Sequence, residues 1–216
     1  MTAIGEGNGN ADKPAGPAVR LGGALLYPGL LDPAAQVALV GALRDVATAA
    51  PFFRPVTPRG RPMSVRMTAA GRLGWLSDRR GYRYAPRHPE TGAPWPPIPA
   101  AVLAIWRQVT GLRREPDCCL VNYYGEGARM GLHQDRDEAD FSFPVVSVSL
   151  GDSARFRIGG VERGGPTESA MLHSGDVLVM GGAARLAHHG IDRIAFGSST
   201  LLPQGGRINL TLRVVA

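Results

Sequence analysis

The chain has 216 residues, of which 44% are hydrophobic and 19% charged, and its formal net charge is +6. These values suit one domain with a substantial core, and no apolar run reaches the roughly 18 residues of a transmembrane helix. The first residues show neither the basic opening nor the apolar middle of a signal peptide, so a cytoplasmic location is expected, with no membrane partner.

Residues 1–18 are rich in Gly, Ala, Asn and Pro without periodicity, which predicts a disordered tail. In "LDPAAQVALVGALRDVATAA", residues 31–50, Asp32 is an N-cap candidate and Pro33 suits the first helical position. Apolar residues at 37, 40, 43 and 46 predict an amphipathic helix.

The next segment is where the charge lies. Residues 54–87 hold nine arginines and a single acid, Asp78, which leaves the rest of the chain at −2. Phe52, Phe53, Trp75, Tyr82 and Tyr84 are interleaved with these cations. Cations beside flat apolar rings suit a surface that tracks phosphates and stacks bases. Lys13 is the sole lysine among 24 basic residues, so a general preference for arginine accounts for residue type, although not for clustering without acids. "MSVRMT" reads as an extended piece within this Pro-, Gly- and Arg-rich stretch. "IPAAVLAIWRQVTGL" then predicts a second helix closed near Gly111.

After residue 117 the pattern changes. "DCCLVNYYG", "FPVVSVSLG", "ARFRIGG", "SAMLHSGDVLVMGG", "RLAHHGI" and "RINLTLRVVA" are short strand-like runs between Gly, Asp and Ser turns, the signature of a sandwich or barrel. Cys118 and Cys119 are neighbours with Cα atoms ~3.8 Å apart, below the ~4.4 Å that ordinary disulfides need. They are expected to be buried thiols in a reducing compartment.

Five histidines make the search for a metal site short. His88 lies in a Pro-flanked loop and His173 beside the turn "HSGD". In "MGLHQDRDE", a strand alternates faces, so His133 and Asp135 project the same way. Asp137 and Glu138 follow at once, and a solvated acidic turn is the simpler reading of the stretch. His188 and His189 project oppositely, so one of the pair can join His133 and Asp135. Two imidazoles and a carboxylate make the facial triad of non-haem Fe(II) oxygenases, which leaves positions open on the metal. In "RINLTLR", Arg207, Asn209, Thr211 and Arg213 share one face and Ile208, Leu210 and Leu212 the other. An edge strand would turn the polar face to water. Turned inward, its arginines would need an anion, and a small dicarboxylate beside a metal would satisfy both. Asn122 and Tyr124 in "LVNYY" share a face and could donate to the same anion.

Together, "NYYGEGARMGLHQDRDE", "VVSVSLG", "HHGI" and "RINLTLR", with "MSVRMTAAGRLGW" and "GYRYAP" upstream, resemble the AlkB family of Fe(II)/2-oxoglutarate-dependent dioxygenases. The likeness spans nearly everything after residue 20. It implies an α+β fold in three parts: the tail of residues 1–18, an N-terminal extension and nucleotide-recognition lid over 19–117, and a double-stranded β-helix (jelly-roll) core over 118–216. The helices would lie in the extension. It implies that His133, Asp135 and His189 ligate Fe(II), and that Arg213, assisted by Tyr124, pairs with the far carboxylate of 2-oxoglutarate. Arg207 and Asn122 would hold the metal-side end of that co-substrate, with Asn209 orienting these groups.

Substrate contacts follow in the same way. Trp75 would stack on the base, opposite the His133 ring, and Tyr82 and Tyr84 would contact the nucleotide backbone or close the lid. Met67 would line the pocket, Asp137 would face a cationic methylated base, and Arg163 would contact the substrate. Glu138 receives no assigned task. His188 stands where relatives often carry an aromatic residue, and Tyr123 where a basic residue is common.

The implied reaction consumes O2, converts 2-oxoglutarate to succinate and CO2, and hydroxylates an N-methyl group of 1-methyladenine or 3-methylcytosine. Formaldehyde then leaves the repaired base. The expected partner is single-stranded or duplex DNA, with RNA as an alternative, and the protein is expected to be a monomer. A related dioxygenase acting on tRNA, protein or a small molecule is the competing enzyme reading. A catalytically silent nucleic-acid-binding module is the reading from another class.

Overall fold

A computed structural model describes residues 18–216, so the expected disordered tail lies outside the described residues apart from Ala18. The chain enters through β1 (Val19–Leu21) and β2 (Ala24–Tyr27), and α1 follows over Pro33–Ala49. Asp32 caps this helix, its carboxylate accepting from the Ala35 amide at 2.8 Å, with Pro33 behind it. Leu39, Val40, Leu43 and Val46 form its buried stripe. Val37, expected on that stripe, is 62% exposed. The buried face turns through Leu39, so the 3.6-residue period carries Val37 past its edge.

Next come β3 (Arg66–Gly71), β4 (Gly74–Asp78), β5 (Gly81–Ala85) and α2 (Ala100–Thr110). Gly111 ends α2 as expected. Its φ of 66° is left-handed, and its amide donates to the Arg107 carbonyl at 2.9 Å. The remaining chain is nearly all strand. It runs through β6 (Cys118–Tyr124), β7 (Met130–His133), β8 (Val145–Gly151), β9 (Ala154–Ile158), β10 (Glu168–Leu172), β11 (Val177–Met180), β12 (His189–Ile194) and β13 (Arg207–Arg213). Cys118 and Cys119 are free, buried thiols at the start of β6.

Every strand pairing is antiparallel, in a seven-stranded sheet ordered β1-β2-β11-β8-β13-β6-β3, a four-stranded sheet ordered β10-β9-β12-β7, and the β4-β5 hairpin. This is a jelly-roll architecture with few helices. Three strands from the first third of the chain, β1, β2 and β3, complete the large sheet, so the change of pattern at residue 117 is not a separation in space.

Alternation along the strands builds two cores. Leu120 and Tyr124 of β6 join Phe156, Ile158 and Ile191 of the small sheet in one cluster, so the two sheets face each other. Cys119 and Val121, with Ile208, Leu210 and Leu212 of β13, instead meet Leu39, Leu43, Ile105 and Trp106 of the helices. The helices therefore cover the outer face of the large sheet. At ~25 cal/mol per Å² of apolar area removed from water, that layer is a main source of stability. It also decides the orientation of β13: its apolar face goes to the helices, and Arg207, Asn209, Thr211 and Arg213 must point between the sheets.

Candidate metal and co-substrate site

β7 and β12 pair so that His133 and His189 stand opposite each other, with ring centroids 4.5 Å apart. His189, rather than His188, is therefore the histidine beside His133. Gly190 is required for this approach, since a Cβ there would lie 2.5 Å from the Met130 carbonyl oxygen. Asp135 completes the group, and the three ligand atoms lie within 4.8 Å of one another. Asp135 was expected on a strand shared with His133, yet β7 ends at His133. Asp135 reaches the site from a loop, held by the Arg185 guanidinium, which donates to its backbone carbonyl at 2.6 Å.

Both imidazoles are prepared to bind a cation. The Nδ1 of His133 lies 3.0 Å from the Gly131 carbonyl, and that of His189 lies 3.0 Å from the Ala187 carbonyl. Each Nδ1 therefore carries the proton, which leaves the Nε2 lone pairs facing Asp135. Burial pushes the His189 pKa down to about 4 against the opposing pull of Asp135, so this ring is neutral near pH 7. Burial works against ionisation of Asp135 as well, but the Arg213 guanidinium outweighs it and holds the carboxyl well below the usual range. Asp135 Oδ1 accepts from Arg213 at 2.7 Å, whereas Oδ2 is buried with no hydrogen-bond partner among the described residues. Two free Nε2 atoms and one unpartnered carboxylate oxygen are a donor set that fits Fe(II) and leaves coordination positions open.

The wall beside this triad is the inner face of β6 and β13. Arg207 is 1% exposed and donates from Nη2 to Ser149 Oγ at 2.8 Å, while its Nη1 and Nε have no partner among the described residues. Burial lowers its pKa to about 10, which leaves it charged at neutral pH. The side-chain oxygen of Asn122 is likewise without a partner. A buried cation with two unused donors is costly unless an anion completes it, and a carboxylate fits that need. Asn209 is already engaged, donating to Ser147 Oγ at 2.7 Å and the Val148 carbonyl at 3.2 Å.

The two arginines are not arranged as expected. Register places Arg207 opposite Tyr124, and Arg213 opposite Cys118 at the other end of the strand. Six residues of strand rise about 20 Å, so Tyr124 cannot assist Arg213. Arg213 is instead held at the triad by Asp135.

The cavity is about 680 Å³ and runs from this wall to an aromatic mouth. Met67 lies along it, and Trp75, Tyr82, Asp137 and Arg163 border it. Trp75 stacks on Tyr82, with centroids 5.5 Å apart and planes at 20°, and its indole N–H donates to Asp137 Oδ2 at 2.8 Å. Tyr84 alone among the expected site residues does not line the cavity. Sequence reasoning missed Arg185, Glu138 and Ser149. Arg185 and Glu138 form an ion pair at 3.0 Å with both side chains almost wholly buried, and the sequence signal was a lone arginine within the apolar run "GGAARLAHHG". Among the described residues, no helix is long and apolar enough to cross a membrane.

Fold and site together describe an Fe(II)- and 2-oxoglutarate-dependent oxygenase, and residues 23–213 match the 2OG-Fe(II) oxygenase superfamily. Within that superfamily the chain belongs to the AlkB family. It is 62% identical over 188 residues to the alpha-ketoglutarate-dependent dioxygenase AlkB homolog of Caulobacter vibrioides, covering 87% of this chain and 86% of the relative. It is 43% identical over 179 residues to the AlkB dioxygenase of Escherichia coli, covering 81% and 82%. A shorter match, 44% over 108 residues, reaches the DNA N(6)-methyladenine demethylase ALKBH1D of Arabidopsis thaliana, covering 45% of this chain and 24% of that one. The solved structure of OsALKBH1 superposes with a TM-score of 0.76 at 31% identity, covering 90% of this chain and 99% of that one. The protein is a dioxygenase whose cofactor is Fe(II) and whose co-substrates are 2-oxoglutarate and O2.

Proposed function

We propose that the protein removes N-methyl groups from alkylated bases of DNA, 1-methyladenine and 3-methylcytosine foremost, as a direct-reversal repair enzyme. The observation that carries this reading is the mouth of the cavity: a tryptophan and a tyrosine in a stack, a carboxylate bonded to the tryptophan, and the triad at the inner end. A flipped or single-stranded base needs aromatic faces to leave its own stack. A cationic methylated ring is further favoured by a carboxylate, and Asp137 stands at that position. Arg54, Arg59, Arg61, Arg66, Arg79 and Arg87 make no ion pair among the described residues, which leaves six cations for the phosphate backbone. The demethylase activity named for the Arabidopsis relative supports the same substrate class.

His133, Asp135 and His189 would hold Fe(II), and Arg207, with the Tyr124 hydroxyl beside it, would hold the far carboxylate of 2-oxoglutarate. This reverses the roles that resemblance alone suggested for Arg207 and Arg213, for the reason of register given above. Arg213 would border the metal-side end, and Asn122 lines the cavity beside it. Bound Fe(II), with 2-oxoglutarate and O2, supplies the oxidising equivalent that places a hydroxyl on the N-methyl carbon; the resulting hemiaminal releases formaldehyde. The chain contributes placement. Trp75 and Tyr82 present the base, the β4-β5 hairpin serves as the lid, and Leu120, Met180 and Ile191 exclude water around the reacting carbon.

Protein incubated with Fe(II), 2-oxoglutarate, ascorbate and a single-stranded oligodeoxynucleotide carrying 1-methyladenine or 3-methylcytosine should remove the mass of one methylene per lesion. The same sequence as RNA, run in parallel, reports the preference between the two. Succinate formation without any mass change in either oligonucleotide would rule the reading out.

A further inference from the structure

Tyr84 was expected to touch the nucleotide, yet its hydroxyl is turned the other way. It donates to Glu138 Oε1 in a short hydrogen bond and accepts from Arg213 Nη1 at 3.1 Å. Glu138 is 6% exposed, and its second oxygen accepts from Arg185 Nη2 at 3.0 Å. The other donors of Arg185 go to the carbonyls of Asp135 at 2.6 Å and Phe143 at 2.8 Å, which brace the loop that carries the carboxylate ligand. Arg213 closes the ring with its 2.7 Å bond to Asp135 Oδ1. Two arginines and two carboxylates make this buried set neutral, so no member is left as an isolated charge.

The arrangement has a consequence for Asp135. A guanidinium facing a carboxylate tends to take both oxygens at once. Here the Tyr84 oxygen occupies Nη1, and Nε faces Glu138 at 3.5 Å. Nη2 alone bonds Asp135, so Oδ1 is tied and Oδ2 is free, while Nε is turned toward Glu138 and has no hydrogen-bond partner among the described residues. We propose that Tyr84, Glu138 and Arg185 are positioning residues that restrict Arg213 to one oxygen of Asp135, keep the other for the metal, and tie the β4-β5 hairpin to the metal loop. Tyr84 is therefore a metal-side residue carried on the substrate hairpin. The inference rests on the reading of Asp135 as a ligand, and its test separates the two.

The probe is Co(II), titrated into the full-length protein with 2-oxoglutarate present and followed by its visible ligand-field absorption. Binding of an undamaged single-stranded oligodeoxynucleotide to the metal-free protein is measured beside it. Tyr84→Phe and Glu138→Gln should each weaken Co(II) binding about tenfold or more, in the range lost when partners of metal ligands are removed. They should also alter the Co(II) spectrum, while Tyr84→Phe leaves oligonucleotide affinity within about twofold of wild type, since it removes no nucleotide contact in this account. Thermal melting confirms that each variant is folded, and should Glu138→Gln fail to fold, Tyr84→Phe alone decides. Unchanged Co(II) affinity and spectrum in Tyr84→Phe, or a loss confined to oligonucleotide binding, overturns the inference. Absence of a ligand-field spectrum in the wild type would instead count against the metal reading itself.

Discussion

The inner wall formed by β6 and β13 and the β4-β5 hairpin serve one cavity but are built by opposite means. Every residue of β13 is buried, and its polar groups are set by register against Tyr124, Asn122 and Ser149. The hairpin is partly exposed, with Tyr82 at 52%, and its charged side chains pair mainly within it, as Arg83 and Arg80 do with Asp78. A small invariant co-substrate repays a rigid buried site, because unsatisfied donors such as those of Arg207 wait for one anion only. A nucleic acid is large, flexible and charged, and an exposed aromatic and cationic surface receives it at lower cost in ordering. Tyr84 is the point where the two regions meet.

Substitutions should separate the regions, beginning with the largest effect. Asp135→Ala removes a ligand from the wall side, so metal affinity should fall by more than the roughly 100-fold ceiling seen for outer partners. Isothermal titration with Co(II) is the check. Arg207→Met keeps the buried volume and removes the charge. It should raise the KM for 2-oxoglutarate about 100-fold, as the loss of charge-assisted hydrogen bonds worth about 3 kcal/mol requires, with oligonucleotide affinity unchanged. Arg213→Met should differ from it by disturbing the metal spectrum as well.

On the hairpin, Trp75→Ala should raise the KM for a methylated oligonucleotide about tenfold, in line with ~1–3 kcal/mol per stacked base. Steady-state kinetics should show the KM for 2-oxoglutarate unmoved. Asp137→Asn should give the smallest effect. It preserves an acceptor for the Trp75 indole and removes the charge, so preference for a cationic over a neutral methylated base should fall about threefold to tenfold. If Arg207→Met weakened oligonucleotide binding, or Trp75→Ala the use of 2-oxoglutarate, the division between wall and hairpin would not hold.

Much of this site is local in sequence and was legible there. "HQD" and "HHG" supply the triad, and the alternation of "RINLTLR" shows that one face of the last strand is polar. Whether that face points to water or inward depends on which side the helices cover, a contact between segments far apart in the chain, α1 and α2 against β13. The pairing of Arg207 rather than Arg213 with Tyr124 is a matter of register between β6 and β13, and no spacing within either strand encodes it. The Asp135 loop was harder still. Its geometry depends on Arg185, fifty residues downstream, which carries no motif. Val37 shows the limit at finer grain: helical period was right, but the angle of the buried face is set by what packs against it.

The central claim joins a co-substrate wall to a base-binding mouth in one reaction, and coupling between their products tests it most directly. Succinate, formaldehyde and repaired base are quantified in the same incubation with 1-methyladenine in single-stranded DNA, at limiting enzyme. The account predicts that formaldehyde and repaired base appear in equal amounts, each matched by succinate formed above the oligonucleotide-free background. Succinate that fails to rise with the methylated strand, or rises without formaldehyde, would contradict it.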